Sequence, residues 1–383
     1  MKKVLCLLSY VLVAAAACVL TLVLCNTVWK EQSKLEEMED LIDRYFIEDV
    51  DMTELEDAAA EAMVAATGDR WSYYIPAKDF NAHLEQMANA YVGIGVTIQV
   101  REDETGFDII KVTADSPAEE AGLQPGDVVI SVDGVSVASI GVEAARDMVR
   151  GEEGTQVKLT ILRDGTQLEI PVTRRSIQTP VAVGRMLDGG IGLVTIVNFD
   201  SRCAQETIEA IEALLEQDAK ALIFDVRFNP GGYRRELVKL LDYLLPEGPL
   251  FRAEDYAGRE SIDYSDADYL DIPMAVLVNG SSYSAAEFFA AALDEYDAAI
   301  VVGEPTSGKG YFQQNFPLSD GSAVSISIGK YCTPNGVSLA GVGLTPEVLA
   351  EVDDETRMKI YYETLLPEDD PQIQAAIEAL SAA

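Results

Sequence analysis

Two short segments of the chain carry the residue types of a serine nucleophile and its base. The first reads Asn-Gly-Ser-Ser-Tyr-Ser-Ala-Ala-Glu from Asn279 to Glu287, and the second is Gly308-Lys309-Gly310. A serine hydroxyl attacks poorly unless a neighbouring base takes its proton. The chain has a single histidine, His83, far upstream in an acidic helical stretch. We therefore predict that Lys309, held neutral, is the base for Ser284, as in the serine–lysine variant of the catalytic triad.

The local pattern places Ser284 at the start of a helix. Met274–Val278 is an apolar run typical of a strand, and a segment rich in alanine and phenylalanine begins after Ser284. Free backbone N–H groups and the helix dipole at such a terminus favour negative charge, which suits an oxyanion intermediate. The alternative is that Ser281, Ser282 and Ser284 form only a polar turn with one helix cap.

Lys309 needs an unusual environment to act as a base. An ordinary lysine has a pKa of about 10.4, and burial disfavours its charged form and lowers that value. The flanking glycines allow close approach of backbone and ligand. Gln313 follows four positions later and could orient the amine through its amide oxygen. The alternatives are a solvated loop lysine and an ordinary polar strand residue.

A second turn offers further hydrogen-bond donors. Asp225-Val-Arg-Phe-Asn-Pro-Gly-Gly232 follows an apolar strand, and its Pro-Gly-Gly end predicts a tight turn with exposed N–H groups. Gly231 or Gly232 could complete an oxyanion hole with the N–H of Ala285. An ordinary β-turn is the alternative, and Asp225 and Arg227 could form a structural ion pair.

The elements that position these residues follow from periodicity. Residues 31–90 have helical spacing, and residues 91–176 alternate short β-branched runs with turn signals, as in a small β-rich module with one or two helices. Residues 177–187 look like a linker. From Gly189 onward strands and helices alternate, which predicts an α/β layered core. Glu247–Asp271 looks irregular, and Pro371–Leu380 looks helical.

The N-terminus predicts a membrane anchor. Val4 to Val28 is mostly apolar and follows two lysines, and a helix of this length spans the roughly 30 Å hydrocarbon core. We expect an uncleaved single-pass anchor with the remainder outside the cytoplasm. A cleaved signal peptide is the alternative; a lipoprotein cysteine at Cys18 is disfavoured by the apolar run after it.

Charge and cysteine content exclude several classes of function. The formal net charge of −37 argues against nucleic-acid binding. Of five cysteines, Cys203 and Cys332 fall outside the predicted anchor, which allows at most one disulfide there. A single histidine and the absence of zinc-ligand spacing predict no metal site, and no motif calls for a cofactor.

Four motifs in order resemble the carboxyl-terminal processing (tail-specific) serine peptidases. They are Asp225–Gly232, Val276–Leu293, Gly303–Gln313 and Tyr331–Pro346. The resemblance implies that Ser284 before Ala-Ala-Glu and Lys309 in Gly-Lys-Gly are the catalytic dyad, assisted by Gln313. Two departures stand out, because Tyr283 replaces a small residue and Phe228 lies where asparagine is common.

The β-rich module resembles a PDZ domain. Tyr91-Val-Gly-Ile-Gly-Val96 is similar to its carboxylate-binding loop, and Ser116 to Asp127 matches the motif that follows. Such domains grip the C-terminal carboxylate of a peptide with backbone N–H groups. The resemblance assigns tail binding to Gly93, Ile94, Gly95 and Val96. The alternative is a module that only packs against the core.

The expected fold is an α/β peptidase core of the crotonase or ClpP-like β-α spiral type, with an inserted or preceding PDZ domain and a helical N-terminal region. The predicted boundaries are 1–30 for the anchor or signal, 31–90 for the helical region, 91–176 for the PDZ domain, 177–353 for the core and 354–383 for a C-terminal helical segment. The expected function is an extracytoplasmic serine endopeptidase acting near the free C-termini of proteins or peptides, and the resemblance also suggests a homodimer. The rivals are a catalytically silent PDZ scaffold at the cell surface and a hydrolase of esters or thioesters.

Overall fold

The computed structural model describes residues 12–18, 21, 33–87, 89–101, 103 and 105–382. Contacts divide the chain into two compact units, Met1–Gly68 and Asp69–Ala383. The first unit contains helices α1 (Lys34–Tyr45) and α2 (Met52–Ala65). Ser33 and Asp51 cap them by accepting hydrogen bonds from first-turn N–H groups. This agrees with the helical spacing of this region.

The predicted single-pass membrane placement is corrected by the structure. In the described part of the chain, no helix combines the length and the apolar content needed to cross a bilayer. The predicted span, residues 4–28, lies mostly outside the described residues. An apolar run read by composition alone does not establish a spanning helix.

The β-rich module forms an antiparallel sheet in the order β3-β4-β5-β7-β8, with β6 beside β5 and a separate β2–β9 pair joining the two ends of the module. Its elements are β2 (Ala90–Gly93), β3 (Val96–Val100), β4 (Phe107–Val112), α4 (Pro117–Glu120), β5 (Val128–Val132), β6 (Val135–Ser136), α5 (Val137–Ile140), α6 (Val142–Val149), β7 (Gln156–Arg163), β8 (Thr166–Thr173) and β9 (Arg175–Gln178). Ile94, Ile109, Val129 and Leu159 are buried in its own hydrophobic core. The module therefore has a core separate from that of the rest of the unit.

A mixed sheet in the order β10-β11-β12-β15-β16-β19 forms the centre of the second unit. Neighbouring strands among β11, β12, β15, β16 and β19 run parallel, and β10 lies antiparallel at the edge. The elements are β10 (Ala182–Leu187), β11 (Ile191–Ile196), α7 (Cys203–Glu216), β12 (Ala221–Asp225), α8 (Arg234–Leu244), β15 (Met274–Val278), α9 (Ala285–Glu295), β16 (Ala299–Gly303), β19 (Val348–Leu349), α10 (Asp354–Tyr361) and α11 (Pro371–Ala382). Every residue of β12 and β15 is buried, because both faces of the sheet are covered.

A second sheet follows the order β1-β18-β13-β14, with β17 beside β18. Its strands are β1 (Tyr73–Ile75), which precedes helix α3 (Ala77–Met87), then β13 (Gly248–Asp255), β14 (Glu260–Ser265), β17 (Tyr311–Pro317) and β18 (Ala323–Cys332). This sheet carries Tyr331 and Gln313, and it brings the segment after Gly68 beside the strands that follow Lys309.

Two segments expected to be irregular are strands. The predicted linker 177–187 contributes the end of β9 and all of β10, and the acidic segment 247–271 contains the β13–β14 hairpin. β10 and β14 are edge strands that expose much of their surface, whereas β13 lies between β14 and β18. Their polar residues conceal the alternation that marks a half-buried strand. The two cysteines considered as a disulfide pair, Cys203 and Cys332, are free.

Candidate active site

Ser284 lies in a sharp turn between a buried strand and a buried helix. It follows β15 and caps α9 with φ 58° and ψ −123°. A positive φ is uncommon for a residue other than glycine and stores strain. A strand–turn–helix geometry of this kind exposes the nucleophile of α/β-hydrolases. The prediction that Ser284 starts a helix is therefore confirmed.

The turn that follows β12 holds the serine turn in place. The Ser282 hydroxyl donates to the Val226 carbonyl at 2.7 Å, and the Phe228 N–H donates to Asn279 Oδ1 at 3.0 Å. The Tyr283 N–H donates to the carbonyl of Asn229 at 3.2 Å. Since β12 and β15 are parallel neighbours, their carboxyl ends meet at one edge of the sheet. Two turns that are distant in sequence are thereby locked together.

Gly231 approaches the serine turn too closely for any side chain. A Cβ at this position would lie 2.7 Å from the Ala285 nitrogen and 2.7 Å from Ser284 Cβ. Its own N–H donates to Asn229 Oδ1 at 2.8 Å. Within the described part of the chain, the N–H groups of Gly232 and Ala285 have no protein acceptor. Of the two predicted glycines, Gly232 is therefore the one with an N–H left for a ligand.

Glu287 connects the serine helix to the lysine loop. It lies one turn after Ser284 and is fully buried. Its carboxylate accepts hydrogen bonds from the Gly308 N–H at 2.7 Å, from the Lys309 N–H at 3.0 Å and from the Thr306 hydroxyl. A buried carboxylate is stable only when its oxygens are satisfied in this way. From the sequence, Glu287 was only the last residue of the Asn279–Glu287 segment, with no predicted role.

The amine of Lys309 lies over two neighbouring aromatic rings. Its Nζ is 5.3 Å from the Trp71 ring centroid and 5.7 Å from that of Tyr283, and the two rings are 5.6 Å apart. Burial lowers the pKa of Lys309 to about 8, against the opposing charges of Asp69 and Glu287. A substantial neutral fraction near neutral pH is what a general base requires. Neither Trp71 nor the covering role of Tyr283 was predicted from sequence.

Gln313 lies on β17, beyond the lysine loop. Its Nε2 donates to Ser327 Oγ at 2.9 Å, and this bond fixes the plane of the amide. The amide oxygen is left as the acceptor side of the group. Its predicted role in orienting Lys309 stays a prediction.

The four residues assigned to tail binding lie at the junction of β2 and β3. The carbonyls of Ile94 and Gly95 accept the N–H groups of Ala118 and Thr113 at 2.8 and 2.9 Å. Gly95 has φ 86°, and a Cβ there would lie 2.3 Å from Ser116 Cβ. Only glycine fits this conformation, because the loop backbone passes very close to Ser116.

A cavity of about 2190 Å³ opens onto the serine and the lysine. Its lining includes Ser284, Lys309 and Gly232 of the core, and Thr97 and Arg175 of the β-rich module. Small-molecule sites are typically about 300–1,000 Å³. This cavity is larger than that range.

Comparison with known proteins identifies the family of the chain. Residues 190–350 match the model of peptidase family S41, and residues 109–163 match a PDZ domain model. The carboxy-terminal processing protease CtpA of Bacillus subtilis is 31% identical over 328 residues, covering 85% of this chain and 70% of that protein. A carboxyl-terminal-processing protease of Synechocystis is 32% identical over 296 residues, covering 76% and 68%. The chain belongs to peptidase family S41, the carboxy-terminal processing proteases.

The S41 fold extends to relatives of low identity. A Bacteroides fragilis protein assigned to the S41 proteases has a structure that matches with a TM-score of 0.58 at 16% identity, covering 90% of this chain and 96% of that one. The predicted family, fold class and enzyme class are confirmed, and this S41 chain is a serine protease with a PDZ domain. The predicted domain boundaries stay predictions.

Proposed function

We propose that this S41 protease cuts polypeptides near their C-termini, with Ser284 as nucleophile and Lys309 as general base, and that its PDZ domain docks the free tail of the substrate. The observation that carries the proposal is the Glu287 carboxylate, which joins the helix of Ser284 to the loop of Lys309. One buried group thus couples the strained serine turn to a lysine whose pKa is lowered.

In the proposed reaction, neutral Lys309 accepts the Ser284 proton as Oγ bonds to the scissile carbonyl carbon. The oxyanion that forms accepts hydrogen bonds from the N–H groups of Gly232 and Ala285. Lys309 then returns its proton to the leaving amine as the C–N bond breaks. Water hydrolyses the acyl-enzyme, with Lys309 again taking a proton. Gln313, anchored through Ser327, orients the lysine amine through its amide oxygen.

Substrate selection is proposed to depend on the PDZ domain. The N–H groups around Gly93, Ile94, Gly95 and Val96 would bind the terminal carboxylate, and the tail would extend as an added strand. The large cavity shared by Thr97, Arg175 and the serine turn supports passage of the same chain toward Ser284. Protein and peptide substrates with free C-termini are therefore the proposed substrate class.

The test uses the full-length protein and an unstructured peptide ending either in a free carboxylate or in an amide. We expect wild type to cut the free-acid peptide, while Ser284→Ala and Lys309→Met lose at least about a thousand-fold in kcat/KM. Lys309→Met keeps a hydrocarbon side chain beside the rings, so the fold should survive, as circular dichroism would report. Near-normal turnover by Lys309→Met would refute the dyad. The predicted homodimer remains to be tested by light scattering.

A further inference from the structure

The ring of Tyr331 is deeply buried beside the serine helix. The residue is 3% exposed and lies at the end of β18. Its ring packs 5.4 Å from Phe251 and 5.7 Å, edge on, from Phe288, the residue four positions after Ser284. Its own backbone N–H donates to the Gly310 carbonyl, next to Lys309, at 3.1 Å. Tyr331 is therefore held between the helix that follows Ser284 and the loop that carries Lys309.

The hydroxyl of Tyr331 is an exception among buried polar groups. Among the described residues, it is the one buried side-chain nitrogen or oxygen atom without a hydrogen-bond partner. Buried hydroxyls are nearly always partnered, and an exception needs a reason. Burial and the Glu287 charge raise the pKa of Tyr331, while its neighbours Ser284 and the Gly310 N–H act in the opposite direction. The phenol thus stays protonated at working pH and borders the nucleophile.

We propose that Tyr331 is a further residue of the active site, whose hydroxyl donates a hydrogen bond to Ser284 Oγ during the reaction. This rests on the proposed function. As the Ser284 proton passes to Lys309 and Oγ bonds to the carbonyl carbon, Tyr331 neither gains nor loses a proton. Its donated hydrogen bond stabilises the negative charge that develops on Oγ and directs the serine proton toward the lysine.

This role differs from that of an ordinary core tyrosine. A structural hydroxyl would already have a partner, as Tyr296 has in donating to the Pro249 carbonyl at 2.9 Å. Replacing Tyr296 by phenylalanine removes a formed hydrogen bond, whereas replacing Tyr331 removes a polar atom that the folded protein leaves unsatisfied. The two substitutions should therefore differ: losing the Tyr331 hydroxyl should slow the reaction without lowering stability, whereas losing the Tyr296 hydroxyl should lower stability without slowing the reaction.

The test measures the rate at which a fluorophosphonate phosphonylates Ser284, with release of fluoride, in the full-length protein. We expect Tyr331→Phe to slow labelling about 10- to 100-fold, the range for a hydrogen bond to a developing charge. The apparent pKa of labelling, set by Lys309, should not move, and the thermal midpoint should be unchanged or higher. Tyr296→Phe, the matched control, should label at the wild-type rate with a lower midpoint.

The outcomes separate this inference from the proposal it rests on. Wild-type protein that labels at Ser284, together with Tyr331→Phe labelling equally fast, would overturn the role of Tyr331 alone. Loss of folding in Tyr331→Phe would also overturn it, because the hydroxyl would then be structural. Wild type that does not label, or Ser284→Ala that still does, would refute the nucleophile and the role of Tyr331 with it.

Discussion

At the scale of single residues, the fold holds two residues of the site in energetically unfavourable states. Ser284 has a positive φ, and Lys309 is buried among Trp71 and Tyr283 with its pKa lowered to about 8. The rings that remove water from the amine also attract its charged form, and Asp69 and Glu287 favour that form as well. Because the pKa falls despite these attractions, desolvation is the dominant effect.

The pH dependence of turnover should report the Lys309 amine. Lys309 acts as a base only when neutral, so kcat/KM should rise with pH through about 8. Below that pH it should fall about tenfold per unit. The measurement is a pH series of peptide cleavage. Asp69→Asn removes a charge that raises the Lys309 pKa, so it should shift the pH profile of kcat/KM to lower pH. A wild-type profile that stays flat between pH 6 and 9 would exclude a lysine base.

At the scale of elements, the C-terminal helix is joined to the turn that supports the site. Arg227 is buried and pairs with Asp225 at 2.6 Å and with Asp370 at 2.9 Å. It also donates to Gln372 in the first turn of α11 at 2.8 Å. These two carboxylates raise the pKa of Arg227, so it stays charged. The ion pair considered from sequence is present, and it extends to a segment 145 positions away.

Breaking this network should destabilise the protein. Arg227→Met leaves Asp225 and Asp370 buried without their shared cation, a change that typically costs about 3–5 kcal/mol. Urea unfolding of the full-length protein measures it. The matched control is Lys111→Met, which breaks a pair with Glu363 whose side chains are more than half exposed and should change stability little. Equal effects of the two substitutions would contradict a structural role for Arg227.

At the scale of the whole molecule, the PDZ domain and the protease core share one cavity. Lys111 of the β-rich module forms an exposed ion pair with Glu363, just beyond α10. A solvated polar contact of this kind stabilises an interface weakly. We therefore expect that the proposed tail docking can be altered without disturbing the core.

Gly95→Ala tests tail docking separately from chemistry. The added Cβ would lie within 2.3 Å of Ser116 Cβ, at a φ of 86° that favours glycine, so the carboxylate loop must distort. We expect kcat/KM for the free-acid peptide to fall roughly tenfold or more, equivalent to about 1.4 kcal/mol. Cleavage of the amidated peptide and labelling of Ser284 should not change. An equal loss for both peptides would place the effect outside carboxylate recognition.

Local patterns predicted much of this protein. The strand Met274–Val278, the helix that begins after Ser284 and the glycines around Lys309 were all read from neighbouring residues, because strand, helix and turn preferences are local properties. The edge strands Ala182–Leu187 and Glu260–Ser265 were missed, because edge strands bury too little to show alternation. The acidic composition of 247–271 also concealed the inner strand Gly248–Asp255. The apolar run at 4–28 led to the membrane placement that the structure corrects.

The sequence by itself determined the family and the chemical groups of the site, because motif order and residue type can be read without a three-dimensional structure. Only the tertiary structure decided which groups meet. Glu287 reaches the lysine loop, Trp71 covers the amine and Tyr331 borders the nucleophile because parallel strands bring their carboxyl ends to one edge and a second sheet packs beside it. These contacts join residues up to 238 positions apart, from Trp71 to Lys309, and no local pattern encodes burial at such separations.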